Sequence, residues 1–187
     1  MLKIISPRRA ERILEKNGAW IGELSERYGI PDALLRAVLY KEMTEIDLLD
    51  LAADLVVAAG VFAKKDSSTG YAQIFGKTGV ESINFAVGRG LTSYRALGLP
   101  CSGMLDPNDP KDVRMVWKRL RRDRKFNLEV EALTLLSAAQ EMTGRIGFPE
   151  YSDEELKLIL TRYNANVHEI TRYGEEAFAL YEKYRAL

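Results

Sequence analysis

Cysteine and histidine are nearly absent from this chain of 187 residues, which has one of each, Cys101 and His168. A single cysteine excludes an intramolecular disulfide, so nothing indicates an oxidising compartment. A single histidine excludes a metal site built on several histidines and a zinc module of the cysteine–histidine type. Pairing of Cys101 with His168 as nucleophile and base has no local support, because Cys101 stands in the turn-forming sequence Leu-Pro-Cys-Ser-Gly. We expect no metal and no cofactor.

Net charge and long apolar runs are also lacking. The 27 basic and 27 acidic residues cancel, which removes any global attraction to nucleic acid or to an anionic membrane. The most apolar stretch, residues 51–63, is too short to cross a bilayer and is interrupted by an acidic residue. Residues 1–18 do not resemble a signal peptide, because charges follow a short apolar run. We therefore expect no membrane span and no visible export signal.

Helical patterns run through almost the whole chain. Hydrophobic residues make up 47% of it and charged residues 29%, values that suit a globular protein with one core. No convincing strand alternation, repeat or long linker is visible. We therefore predict one all-α domain over residues 1–187 with eight or nine helices, and at most a minimal β-hairpin near residues 64–75.

Breakers and apolar spacing set the predicted helix boundaries. The first helix begins at Pro7 and is expected to end at Asn17-Gly18, and a second helix follows over 19–28. The remaining helices are predicted over 31–43, 46–63, 76–90, 111–126, 127–142, 153–166 and 168–185.

Glu42 ends the predicted helix over 31–43 and shares a face with the apolar residues Leu35, Val38 and Leu39. A carboxyl held against apolar side chains is desolvated, which raises its pKa and lets it donate a proton near neutral pH. Glutamate at a helix end is usually solvated, so Glu42 taken alone favours that ordinary interpretation.

Two glycines, Gly70 and Gly76, bracket three large side chains, Tyr71, Gln73 and Ile74, in a stretch with the composition of a surface loop. Glycine lets the backbone approach a ligand closely. The amide of Gln73 has donors and acceptors that suit sugar hydroxyls and acetamido groups. The alternative is a turn packed on the core, with Ile74 buried.

Three features in this order resemble one family. Glu42 ends a helix, the segment 70–74 (Gly-Tyr-Ala-Gln-Ile) follows, and 162–166 (Arg-Tyr-Asn-Ala-Asn) ends a late helix. The order is similar to that of the lysozyme-like lytic transglycosylases and goose-type lysozymes, which have Glu-Ser, Gly-Leu-Met-Gln-Ile and Ala-Tyr-Asn-Ala-Gly. The resemblance extends from about residue 25 to about residue 170. Met43 stands where the family has serine, and Asn166 stands where it has the final glycine.

The resemblance implies a lysozyme-like helical fold and cleavage of the β-1,4 bond between N-acetylmuramic acid and N-acetylglucosamine in peptidoglycan. Glu42 would be the general acid. Asp66 would place a water if the enzyme is a hydrolase, although an Asx-turn explains Asp66 equally well. The other site residues would contact substrate or the acid. Gln73 and the backbone of Tyr71 would bind acetamido groups, Tyr163 would be a hydrogen-bond partner of Glu42, and Asn164 would line the cleft.

Such an enzyme would be of bacterial or phage type and would act, as a monomer, on glycan strands of the cell wall, outside the cell or in the periplasm. Hydrolysis and transglycosylation both remain open. A lysozyme-fold binding module without catalysis is the first alternative, and Met43 is its best support. A nucleic-acid-associated helical protein is the second, because a basic run covers 118–125. A run of this kind on one helix is usually a solvated face.

Overall fold

The computed structural model describes residues 3–46, 66–101 and 103–187, together with positions 52 and 57. These residues form seven α-helices: α1 (Pro7–Tyr28), α2 (Asp32–Glu45), α3 (Gly76–Gly88), α4 (Pro110–Arg122), α5 (Arg124–Thr143), α6 (Asp153–Asn164) and α7 (Arg172–Arg185). A two-stranded antiparallel hairpin precedes α3 and pairs β1 (Ser68–Thr69) with β2 (Ile74–Phe75). A short 3₁₀ turn, Phe148–Glu150, precedes α6.

The predominantly helical class is confirmed, and the hairpin lies within the range predicted for it. The predicted number of helices is wrong, because the described residues hold seven rather than eight or nine. The helix predicted over 46–63 lies outside the described residues.

One reason for the lower number is that α1 is continuous where two helices were predicted. Its apolar residues Ile13, Ile21 and Leu24 lie on either side of Asn17-Gly18 and are all buried. The side-chain amide of Asn17 donates to the carbonyl of Ile13 at 2.7 Å and so finds its partner inside the helix. Burial of each large apolar side chain contributes about 1.5–3 kcal/mol, which outweighs the roughly 1 kcal/mol that glycine costs in a helix.

The boundary between α4 and α5 is set by Asp123. Its carboxylate accepts the N–H of Phe126 at 3.1 Å and so caps α5, while its own N–H bonds to the carbonyl of Arg119 at 2.9 Å. One residue therefore ends one helix and begins the next. The predicted boundary between 126 and 127 was too late in the chain, because the apolar pattern continues through the junction and does not show the cap.

α5 is the central helix, and 13 of its residues are buried, so it is covered on nearly every side. It packs against α1, α3, α4 and α6, while α7 packs on α2 and α6. The buried part of α5 includes four polar residues, Asn127, Glu129, Glu131 and Thr134. Buried polar groups need hydrogen-bond partners, and three of these four residues have them. Glu129, for example, binds Arg27 and Tyr28.

Candidate active site

An open cleft of about 620 Å³ lies between the end of α2, the hairpin, the first turns of α3 and the end of α6. This volume is typical of small-molecule sites. Four of the predicted site residues line the cleft: Glu42, Gln73, Tyr163 and Asn164. Tyr71 lines a neighbouring cavity of about 340 Å³, which shares Gln73 with the cleft.

Glu42 lies in the last turn of α2 and is only 8% exposed, although it lines the cleft. The hydroxyl of Tyr173, in the first turn of α7, donates a hydrogen bond to Oε1 of Glu42. Burial and the charge of Glu42 both raise the pKa of Tyr173 well above its usual value, so the phenol remains a donor. The carboxyl is therefore held in a fixed orientation with one edge towards the cleft.

Tyr163 does not fill the orienting role predicted for it. Its hydroxyl donates to the carbonyl of Ala72 at 2.8 Å, and a hydroxyl has only one hydrogen to donate. Tyr163 thus joins α6 to the hairpin turn, and the orienting contact comes from Tyr173, which the sequence patterns did not single out. Burial and electrostatic interaction with the carboxyls of Glu131 and Glu42 raise the pKa of Tyr163, so its ring lies near both carboxyls.

The turn between the two strands is braced by Asn127, a buried residue of α5. Its Oδ1 accepts the N–H of Ala72 at 2.9 Å, and its Nδ2 donates to the carbonyl of Thr69 at 3.3 Å. Gly70 has φ 75° and passes so close to Asn127 that an added Cβ would lie 2.3 Å from Nδ2. The glycine is therefore required both by conformation and by space.

Gln73 has φ 46°, in the left-handed region that side chains other than glycine seldom adopt. Its Nε2 donates to the carbonyl of Gly70 at 2.7 Å, and its Oε1 accepts the hydroxyl of Ser68 at 3.1 Å. These bonds hold the amide at the edge of the cleft. One N–H and one lone pair of the amide are left to contact a ligand. Strained backbone of this kind is frequent at functional sites.

Asp66 lies outside the lining of the cleft among the described residues. Its two carboxylate oxygens accept the N–H groups of Gly76 at 2.7 Å and Lys77 at 2.9 Å, at the start of α3. Burial raises the pKa of the Asp66 carboxyl, while these backbone bonds lower it. The position is that of a helix cap, a structural role that differs from the Asx-turn considered from the sequence. Two other carboxylates line the cleft, Glu45 and Glu81.

A further carboxyl, Glu131 of α5, lies one turn before Thr134, which lines the cleft. Glu131 is 1% exposed, and its Oε1 finds no hydrogen-bond partner within the described residues. Burial, and then the charge of Glu42, raise the pKa of Glu131 well above its ordinary value. The sequence patterns did not single out Glu131, although an acidic residue inside the apolar run 127–142 is a signal that points to it.

An ion pair between the buried Lys41 of α2 and the partly exposed Glu176 joins α7 to α2. Lys41 is 6% exposed, and its ammonium binds Glu176 at 2.5 Å and also binds Glu45. The same ammonium lies 5.3 Å from the ring centroid of Tyr173. Bonds from Lys41 and Arg172 lower the pKa of Glu176 to about 2. The ion pair between Lys41 and Glu176 therefore holds α7 where Tyr173 reaches Glu42.

The described part of the chain has no group of three or more His, Cys, Asp or Glu residues arranged to hold a metal ion. No helix within that same part is long and apolar enough to cross a membrane. The chain matches no family model, no curated protein and no solved structure.

Proposed function

We propose that the protein is a peptidoglycan-cleaving glycosidase of the lysozyme-like superfamily, with Glu42 as its general acid. The observation that carries this proposal is the placement of Glu42, a nearly buried carboxyl that lines an open cleft and is fixed by Tyr173. The order of the motifs at Glu42, Gln73 and Tyr163 supports the same assignment, since all three residues line one cleft.

In the proposed reaction Glu42 protonates the glycosidic oxygen between N-acetylmuramic acid and N-acetylglucosamine. The bond from that oxygen to the anomeric carbon of the muramic acid then breaks, and positive charge develops on the sugar ring. A carboxyl that is shielded from water is well suited to this proton transfer. The hydrogen bond from Tyr173 keeps the carboxyl in the position that the transfer requires.

The lining of the cleft suits a glycan. Gln73 and Asn164 present amides, and Phe75 presents a ring that is 48% exposed. An exposed large apolar side chain is informative, because the apolar face of a sugar ring can pack on it. The amides supply hydrogen bonds for hydroxyl and acetamido groups.

Two attacking groups remain possible for the second step. In transglycosylation the 6-hydroxyl of the muramoyl unit attacks the anomeric carbon, returns its proton to Glu42 and leaves an anhydro sugar. In hydrolysis a water attacks, and a second carboxylate places it. The capping bonds of Asp66 make Asp66 a poor candidate for that task. Glu81, which is exposed and lines the cleft, replaces Asp66 as the candidate second carboxylate.

A binding module without catalysis is the second candidate, because Met43 is completely buried in the core. Its side chain therefore adds no polar group beside Glu42, where the family has a serine.

The nucleic-acid alternative finds less support. In the basic helix α4, Arg119 pairs with Asp123 at 3.6 Å and donates to the carbonyl of Gly98.

Digestion of purified peptidoglycan tests the proposal. Wild type, Glu42→Gln and Glu81→Gln are compared by mass spectrometry of the released muropeptides. Glu26→Gln, the same change at an exposed position of α1, is the matched control and should digest like wild type. Anhydro products that disappear in Glu42→Gln indicate a transglycosylase, and Glu81→Gln then retains activity.

Reducing ends that disappear in both Glu42→Gln and Glu81→Gln indicate a hydrolase. Failure of the wild type to release products from several wall types would contradict the proposed activity. Co-sedimentation with insoluble peptidoglycan would then decide whether the cleft belongs to a binding module.

A further inference from the structure

Glu131 is a carboxyl that the reaction above does not use, and its surroundings are unusual. It is 1% exposed, and its Oε1 lacks a hydrogen-bond partner among the described residues. It lies on the same face of α5 as Thr134, which lines the cleft. A carboxylate in such a place would be very unfavourable, because burial excludes water and no donor among the described residues reaches Oε1. The carboxyl therefore keeps its proton.

The charged and titratable groups around Glu131 explain why it stays neutral. Glu42 faces it from α2, and Tyr163 faces it from α6. Among the described residues, two cations close to Glu42 or to the cleft bind other carboxylates. Lys41, the residue before Glu42, binds Glu45 and Glu176, and Arg162, which lines the cleft, binds Glu141 at 2.8 Å. Two carboxyls that interact with each other do not both ionise readily, so they titrate as a pair.

We infer that Glu42 and Glu131 hold one proton between them near neutral pH, and that Glu131 is a positioning residue which supplies this proton to Glu42. In the free protein Glu42 is the ionised partner, since it reaches the cleft and accepts the hydrogen bond from Tyr173. A glycan that fills the cleft removes the remaining hydration of Glu42 and so disfavours its charge. The proton then moves from Glu131 to Glu42, and the net charge of the pair does not change.

The inference rests on the proposed function for its catalytic meaning, but the pair itself is measurable without substrate. Infrared spectroscopy distinguishes a protonated carboxyl from a carboxylate by its C=O stretching band. We expect wild type to show a protonated-carboxyl band at pH 7 that Glu131→Gln lacks. Glu129→Gln is the matched control, because Glu129 lies on the same helix and pairs instead with Arg27. It should retain the band.

Coupling between the two carboxyls is tested by titrating the same band in Glu42→Gln. Removal of the neighbouring charge should make the Glu131 proton easier to lose, so the band should disappear at a lower pH than in wild type. A wild-type protein without the band at pH 7, or a band whose titration is the same in Glu42→Gln, would overturn the inference whether or not the protein cleaves peptidoglycan.

With an active enzyme, the pH profile of cleavage gives the catalytic readout. Glu131→Gln removes the second proton, so the basic limb of the profile should move to lower pH by about one unit or more. Glu129→Gln should leave that limb in place even if it lowers stability. An unmoved limb in Glu131→Gln, combined with loss of the infrared band, would show that Glu131 is neutral but does not serve Glu42.

Discussion

Tyr173→Phe removes one oxygen atom, and with it the hydrogen bond to Glu42, while the ring keeps its place. A hydrogen bond to a charged group contributes about 1.5–3 kcal/mol, so the free energy of unfolding at pH 7 should fall by that amount. Tyr163→Phe is the matched control, because it removes a bond to the uncharged carbonyl of Ala72. Its expected loss is about 1 kcal/mol. Urea denaturation with an unchanged m-value measures both losses.

The two tyrosine variants should also differ in their pH dependence. The bond to Glu42 loses its charge assistance when the carboxyl takes up a proton, so the loss caused by Tyr173→Phe should shrink as the pH falls. The loss caused by Tyr163→Phe should stay constant. Equal losses in both variants at every pH would refute the reasoning, because Tyr173 would then contribute packing alone and would not hold an ionised Glu42.

Three further changes test the turn and the charged groups, and a fourth, in α1, is the control for the turn. Gly70→Ala should lower the free energy of unfolding by about 2 kcal/mol or more, because its Cβ would lie 2.3 Å from Nδ2 of Asn127. In the same urea series Gly22→Ala, which meets open space in α1, should raise it by about 0.5–1 kcal/mol. The free energy of unfolding of wild type should fall, relative to that of Glu131→Gln, by about 1.4 kcal/mol per pH unit. This fall should occur as the pH rises from the ordinary carboxyl pKa of 4.5 towards the raised pKa of Glu131. Free energies of unfolding that change with pH in the same way in both proteins would contradict the burial argument. The pKa of Glu176 is lowered from 4.5 to about 2, so its contribution is present above pH 4.5 and is lost as the pH falls towards 2. The stability difference between wild type and Glu176→Gln should therefore vanish in acid, and a difference that persists at pH 2 would contradict the ion-pair assignment.

Local signals in the sequence predicted the helical class and most helix positions, because caps and apolar periodicity act over a few residues. The capping box of Ser152 and Glu155, for example, begins α6 as its pattern indicates. The continuity of α1 through Asn17-Gly18 was not predictable in this way. It depends on the apolar surface that α1 buries against other helices, and propensity scales do not contain that term.

The site was predictable to the extent that its residues belong to motifs. Glu42 and Gln73 were found because their neighbours in sequence mark them. Tyr173, Asn127 and Glu131 were missed, since each acquires its role from a partner far away in the chain. A tyrosine at a helix start and an asparagine inside an apolar helix have many ordinary explanations, and only the packed structure selects one.

The bonds that complete the cleft have a consequence for folding kinetics. The Tyr173–Glu42 bond joins residues 131 positions apart, and the Tyr163–Ala72 bond joins residues 91 positions apart. Contacts of such separation carry a large loop-closure entropy and slow the folding step that forms them. Glu42 is therefore oriented only after α7 has docked, and a chain in which α7 is undocked carries Glu42 without its phenol partner. Loss of the proposed activity before global unfolding would accordingly indicate that α7 has undocked.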